Sequence, residues 1–311
     1  MVDWNDTSLA GMARRDLMVA GFGAAALAVG LGRGGTALAQ TGPNPAAPAP
    51  SAPPGRVVVE QRGAVLMMGI EWPQGRNRLD APVIIGLGKA YYQFEHDDGL
   101  RVGVLYADGP DFCAGLDVPG FVAAQAAGIL PPREPIINPL DLRPPFRTKP
   151  IVVAVQGRTQ SVGHELFLSS DIRVAAINSI FGQLEVTRGV FPAGGATVRF
   201  PREAGWGNAM RYMLTGDEWG TDEARRMGLV QEVTPLGKQL DRAVELANKI
   251  AAAAPLGVRA TLASSHQALA AEEASALAAL QQEFGRILQS EDAKESQRAQ
   301  REGRPPVFHG Q

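Results

Sequence analysis

With 311 residues and 45% apolar content, the chain can hold one large domain or two small ones around a sizeable core. Its 30 basic and 32 acidic residues nearly cancel to −2, without the basic excess of a phosphate-binding surface, so no nucleic-acid partner is expected. The single cysteine, Cys113, excludes an intramolecular disulfide framework, and the four scattered histidines lack any ligand spacing such as H-E-x-x-H, so no metal is expected.

The first 55 residues differ in character from the rest. Arg14-Arg15 precedes an uncharged Gly/Ala-rich run to Gly32, and Ala37-Leu38-Ala39 then offers small residues before Gln40. That order reads as a twin-arginine export signal over 1–39 and implies a periplasmic mature chain; a plain N-terminal extension, or a misread start with Met12 as the first residue, is the cytoplasmic alternative. The apolar run, of about 16 residues, is shorter than the ~20 a stable membrane span needs. Residues 40–55, mostly Pro and Ala, have a linker's composition.

From Arg56 the pattern becomes that of a folded chain. Arg56 to Gln61 and Ala64 to Glu71 predict a hairpin about Arg62-Gly63. Asp80 as N-cap and Pro82 in the first turn start a helix whose Val83, Leu87, Tyr91 and Phe94 recur at helical spacing. Arg101 to Tyr106 reads as a buried strand running into the small-residue turn Asp108 to Asp117. Phe121 to Arg147, Ala-rich and then proline-rich, reads as an irregular loop over the sheet. Ile151 to Val155 is a buried strand, 158–160 a polar turn, Val162 to Ser170 a short helix and Ile172 to Ile177 a further strand. Beyond the turn at Val190 to Gly195, helices are expected over 206–214 and 222–227, a strand over 229–233, and amphipathic helices over 240–252, 256–269 and 272–288.

The chemistry concentrates between Lys149 and Glu185. Val162 to Glu165 falls at a helix N-terminus, where the first N–H groups lack partners and the dipole is positive, a place to hold a developing oxyanion. Glu165 and Glu185, twenty residues apart, would make an acid–base pair beside those amides. The turn at Ala114-Gly115-Leu116-Asp117 allows close backbone approach, and the Leu116 amide is a candidate second donor. Cys113, with nothing basic in sequence beside it, reads as a small buried residue, and His164 need not share a face with Glu165.

With these residues in place, the chain from about Arg56 to His309 resembles the crotonase, or enoyl-CoA hydratase/isomerase, superfamily. The likeness rests on Phe112 to Asp117, Lys149-Pro150 through Gly157, Gly163-His164-Glu165 with Asp171-Ile172, Phe181-Gly182-Gln183-Leu184-Glu185, Leu214-Thr215-Gly216, Gly228-Leu229-Val230 and Ser290 to Glu295. The resemblance implies an α/β fold, the ClpP-like ββα spiral of two near-perpendicular sheets over 56–235, with C-terminal helices over 236–311 that join subunits in a homotrimer or homohexamer. It implies an acyl-CoA substrate and no permanently bound cofactor, an oxyanion hole from the Leu116 and Val162 amides, Glu165 activating water and Glu185 protonating the α-carbon. Ala114, Asp117, Arg76 and Lys294 are the candidate contacts to substrate and CoA.

The sequence departs from the family pattern in three places. Ser161-Val162 replaces a usual pair of glycines, Pro119 stands where hydratases often carry a lysine near the CoA phosphates, and Gly303 where a terminal lysine is common. Hydration of an enoyl thioester is the leading expectation. Double-bond isomerisation by Glu185 alone, CoA-independent diketone hydrolysis and a non-catalytic binding protein are the alternatives.

Overall fold

The computed structural model describes residues 54–130 and 132–307. The export-signal reading of 1–39 and all but the end of the 40–55 linker lie outside them. Among the described residues, no helix is long and apolar enough to cross a membrane.

The predicted hairpin forms from β1 (Arg56–Arg62) and β2 (Val65–Glu71), paired antiparallel about Gly63. Strands β3 (Val102–Ala107), β4 (Ile151–Val155), β6 (Ile172–Ala176) and β9 (Glu232–Thr234) extend it in parallel to six strands, in the order β1-β2-β3-β4-β6-β9. A second sheet of three strands joins β5 (Arg158–Gln160), β7 (Ile180–Gly182) and β8 (Glu218–Gly220). Two sheets and C-terminal helices make the α/β architecture expected.

The continuous apolar runs of β2 and β4 exist because both faces of the large sheet are covered. Leu66, Met68, Ile70, Val153 and Val155 point to one face, where α1 (Ala81–His96) contributes Val83, Leu87, Tyr91 and Phe94. Val65, Met67, Val152 and Ala154 point to the other, where α7 (Gln239–Ala252) lays Ala243 and Ala247 on the strands. The two alanines are one helical turn apart and let the helix axis approach closely. The first helix after residue 235 is thus a layer of the core.

Several expectations are corrected. The Ala-rich part of the supposed irregular loop is α2 (Val118–Ala126), started by Asp117, whose side chain accepts from the Gly120 amide. Residues 158–160 form β5 rather than a turn: ladder bonds use main-chain groups, so polar side chains do not prevent them, and Thr159 registers with Phe181. The strand near 229–233 begins only at Glu232, because Leu229 and Val230 are drawn into the core. The helices expected over 256–269 and 272–288 are one, α8 (Pro255–Leu288), since the Ala-Ala-Glu-Glu between them contains no breaker. The polar helix α9 (Glu291–Glu302), N-capped by Ser290, has too few apolar residues to announce itself by pattern.

Candidate active site

The site is assembled where the two sheets meet. Helix α3 (Val162–Leu168) starts directly after β5, and Glu165 lies in its first turn, 3% exposed. Glu185 opens the 3-10 turn Glu185–Arg188 after β7, and is 7% exposed. The pairing of β5 with β7 carries the two acids to one place: Ser161, next after β5, donates its N–H to Gly182 O at 2.8 Å.

Each carboxylate is held differently. Glu165 Oε1 accepts from the Gly194 amide at 2.6 Å and the Ala196 amide at 3.2 Å, at the start of α4 (Ala196–Ala204). Glu185 Oε1 accepts a hydrogen bond from Ser161 Oγ, while its Oε2 is buried without a hydrogen-bond partner among the described residues. Burial raises both carboxyls above the usual range, and for Glu165 the nearby charge of Glu185 adds to it. Two buried acids of which one feels the other's charge do not both ionise readily. The two amides on Glu165 favour its ionised form; the bare Oε2 of Glu185 favours the protonated one.

Two main-chain N–H groups are available beside them. Leu116 forms a parallel bridge with Leu79 in which the bonds are made by Gly115 O and Asp117 N, so the Leu116 amide points away from it. Val162 is the first residue of α3, where an N–H has no intrahelical acceptor. Neither amide donates a hydrogen bond among the described residues. Their loops adjoin: a Cβ placed on Gly115 would lie 3.4 Å from Ser161 Cβ and 3.8 Å from Arg188 Nη1. Arg188 is exposed, and its charge partly offsets the upward shift of Glu185.

The remaining candidates are engaged elsewhere. Asp117 caps α2 and lies 3.5 Å from Arg78. Arg76, half exposed, pairs with Asp111 at 2.9 Å, and its carbonyl accepts from the Ala114 amide. Lys294 pairs with Glu291 on α9, a helix that abuts Gly189 just beyond the turn carrying Glu185. Cys113 is fully buried and its thiol is pushed up to about 12 by burial, as its lack of basic neighbours implied. His164 is ringed by Phe167, Phe181, Phe200 and Trp219, bonds Gln183 through Nδ1 and is pushed down to about 3 by burial, so it faces away from the acid–base chemistry.

Sequence reasoning did not find the residues that hold the acids. Ser161 and Glu185 are far apart in sequence; the one available signal was the serine standing in a glycine's place. That substitution has a backbone consequence: the positive φ falls on Ser161 (φ 57°, ψ −129°), not on Val162.

Two buried carboxylates with raised affinity for a proton, near two unengaged amides, are the equipment of an acid–base enzyme acting next to a carbonyl. The sequence model of the enoyl-CoA hydratase/isomerase family matches residues 60–311, and the chain belongs to that family. It is 34% identical over 260 residues to the enoyl-CoA hydratase EchA19 of Mycobacterium tuberculosis, covering 81% of this chain and 95% of that one. Among solved structures, a probable enoyl-CoA hydratase/isomerase from Mycobacterium abscessus is 41% identical at a TM-score of 0.65, covering 82% of this chain and 98% of that one. A carnitinyl-CoA hydratase from Mycobacterium avium is 31% identical at a TM-score of 0.71, with 82% and 98% covered. The chain is thus an enzyme of the hydratase/isomerase type.

Proposed function

We propose that this protein adds water across the 2,3-double bond of an enoyl-CoA. The observation that carries the reading is the pair of buried glutamates with different holders, two backbone amides on Glu165 and one hydroxyl on Glu185. The thioester oxygen sits between the Leu116 and Val162 amides. Glu165, ionised, takes a proton from water as its oxygen bonds the β-carbon, and the π electrons move onto the thioester as an enolate held by the two amides. Glu185, protonated on Oε2, gives that proton to the α-carbon. Water is consumed, one proton has passed from Glu185 to the product and one from water to Glu165, so the pair still holds one proton. Losing one oxyanion donor in such a site typically costs about 3 to 4 kcal/mol of barrier.

In this reading Ala114 and Asp117 line the thioester side, Arg76 offers its half-exposed guanidinium to the CoA phosphates, and Lys294 reaches a neighbouring subunit's site in a trimer or hexamer. Residues 1–39 direct export, which N-terminal sequencing of the mature chain from fractionated cells tests: a periplasmic chain starting at Gln40 supports it, and an intact cytoplasmic start overturns it.

The experiment is hydration of crotonyl-CoA, followed by loss of its enone absorbance, with wild type, Glu165→Gln and Glu185→Gln. Hydration by wild type with large losses in both variants supports the reading. A loss confined to Glu185→Gln on a 3-enoyl substrate makes the enzyme an isomerase instead.

A further inference from the structure

Ser161 is bound to both acids. Its carbonyl accepts the Glu165 amide at 3.1 Å, its hydroxyl donates to Glu185 Oε1, and the next residue supplies the Val162 amide. It does this from a backbone conformation, φ 57° and ψ −129°, that only glycine adopts without strain. A glycine would relieve that strain, yet the chain keeps a side chain whose hydroxyl donates to Glu185, in a residue 6% exposed. A strained residue held in place by its surroundings, and touching the proposed acid, points to a role in that acid's work.

Resting on the hydratase reading above, we propose that Ser161 is a positioning residue for Glu185: its hydroxyl pins Oε1 and leaves Oε2 as the oxygen that hands the proton to the α-carbon. Among the described residues Oε2 is buried without a hydrogen-bond partner, which leaves it free to turn to a substrate. The same hydroxyl stabilises the carboxylate left after transfer, and so makes Glu185 a stronger acid than burial alone would allow. The other charged groups acting on the two acids are Arg199 on α4, which lowers Glu165, and Arg188 on the turn of Glu185, with the charge of Glu185 raising Glu165; Arg188 assists the hydroxyl and cannot replace its aim.

Two variants separate the hydroxyl from the strain. Ser161→Gly loses both, and Ser161→Ala loses the hydroxyl alone. Both are expected to lower kcat for crotonyl-CoA hydration about ten- to a hundredfold, the worth of a hydrogen bond to a charged group, with KM little changed. In both, the alkaline limb of the pH profile moves to higher pH, since Glu185 holds its proton longer. Ser161→Gly melts no lower than wild type, whereas Ser161→Ala does not gain stability. Wild-type kcat in either variant, an unmoved alkaline limb, or a loss confined to KM overturns the proposal. Should wild type fail to hydrate crotonyl-CoA, the hydratase reading falls, and carbon NMR of labelled glutamate, assigned with Glu185→Gln, decides the rest. A Glu185 titration raised in Ser161→Gly supports the holding role, and an unchanged one overturns it.

Discussion

The Gly194 amide donates to Glu165 Oε1 at 2.6 Å, and a Cβ on Gly194 would stand 2.3 Å from Oε2 of the same carboxylate. The glycine is therefore both a donor and a space that only a hydrogen can fill. Gly194→Ala is expected to push the Glu165 carboxylate off its two amides, lowering kcat at least tenfold while costing about 1 to 3 kcal/mol of stability. Steady-state kinetics with thermal melting checks both. Unchanged kcat would show that Glu165 tolerates displacement and is not the base.

Glu165→Gln and Glu185→Gln keep the side-chain shape and remove a proton-transfer group. Each is expected to lower kcat by about 100- to 10,000-fold, the usual worth of general acid or base catalysis. Because the two act on one turnover, the double variant should lose much less than the product of the single losses. Crotonyl-CoA kinetics on the three variants tests this.

Burial raises both carboxyls above their usual 4.5, and the nearby charge of Glu185 raises Glu165 further. Between that value and the raised one the folded chain binds more protons than the unfolded chain, so unfolding free energy falls as pH rises. The stabilisation is complete below about 4.5 and is lost as pH climbs through the raised values. Glu165→Gln, which cannot ionise, is expected to melt about 3 to 8 °C above wild type at pH 9 and close to it near pH 4.5. Melting curves across pH decide it; parallel curves for the two proteins would mean that Glu165 titrates alike in the folded and unfolded chain, without the upward shift.

Arg147, almost wholly buried, pairs with Asp141 at 2.9 Å and with Asp171 at 2.6 Å, and also donates to the carbonyls of Lys149 and Ser169. It ties the segment before β4 to the end of α3. Arg147→Ala leaves two carboxylates without their buried partner and is expected to cost about 3 to 5 kcal/mol, read as a lower denaturant midpoint.

His164 is held neutral by its aromatic surroundings, with a value near 3. Its ring carbon and nitrogen shifts should stay constant from pH 5 to 8 by NMR. A titration in that range would mean that the ring is reached by water and could join the proton traffic at Glu165.

The sequence by itself determined which strands are buried on both faces, because an unbroken run such as Ile151 to Val155 has no polar side to turn to water. It also marked the helix start before Glu165 and both acids, since these depend on local order: a strand, a short connection and a carboxylate one turn into a helix. It misjudged β5, because main-chain pairing there does not depend on side-chain polarity, and it split α8 where alanines carry the helix through. Tertiary structure alone decided which groups hold the acids. Ser161 meets Glu185, and Gly194 meets Glu165, only because β5 pairs with β7 and α4 begins against α3. Hydrogen bonds between residues so distant in sequence follow from sheet register and helix packing, which no local pattern of residues encodes.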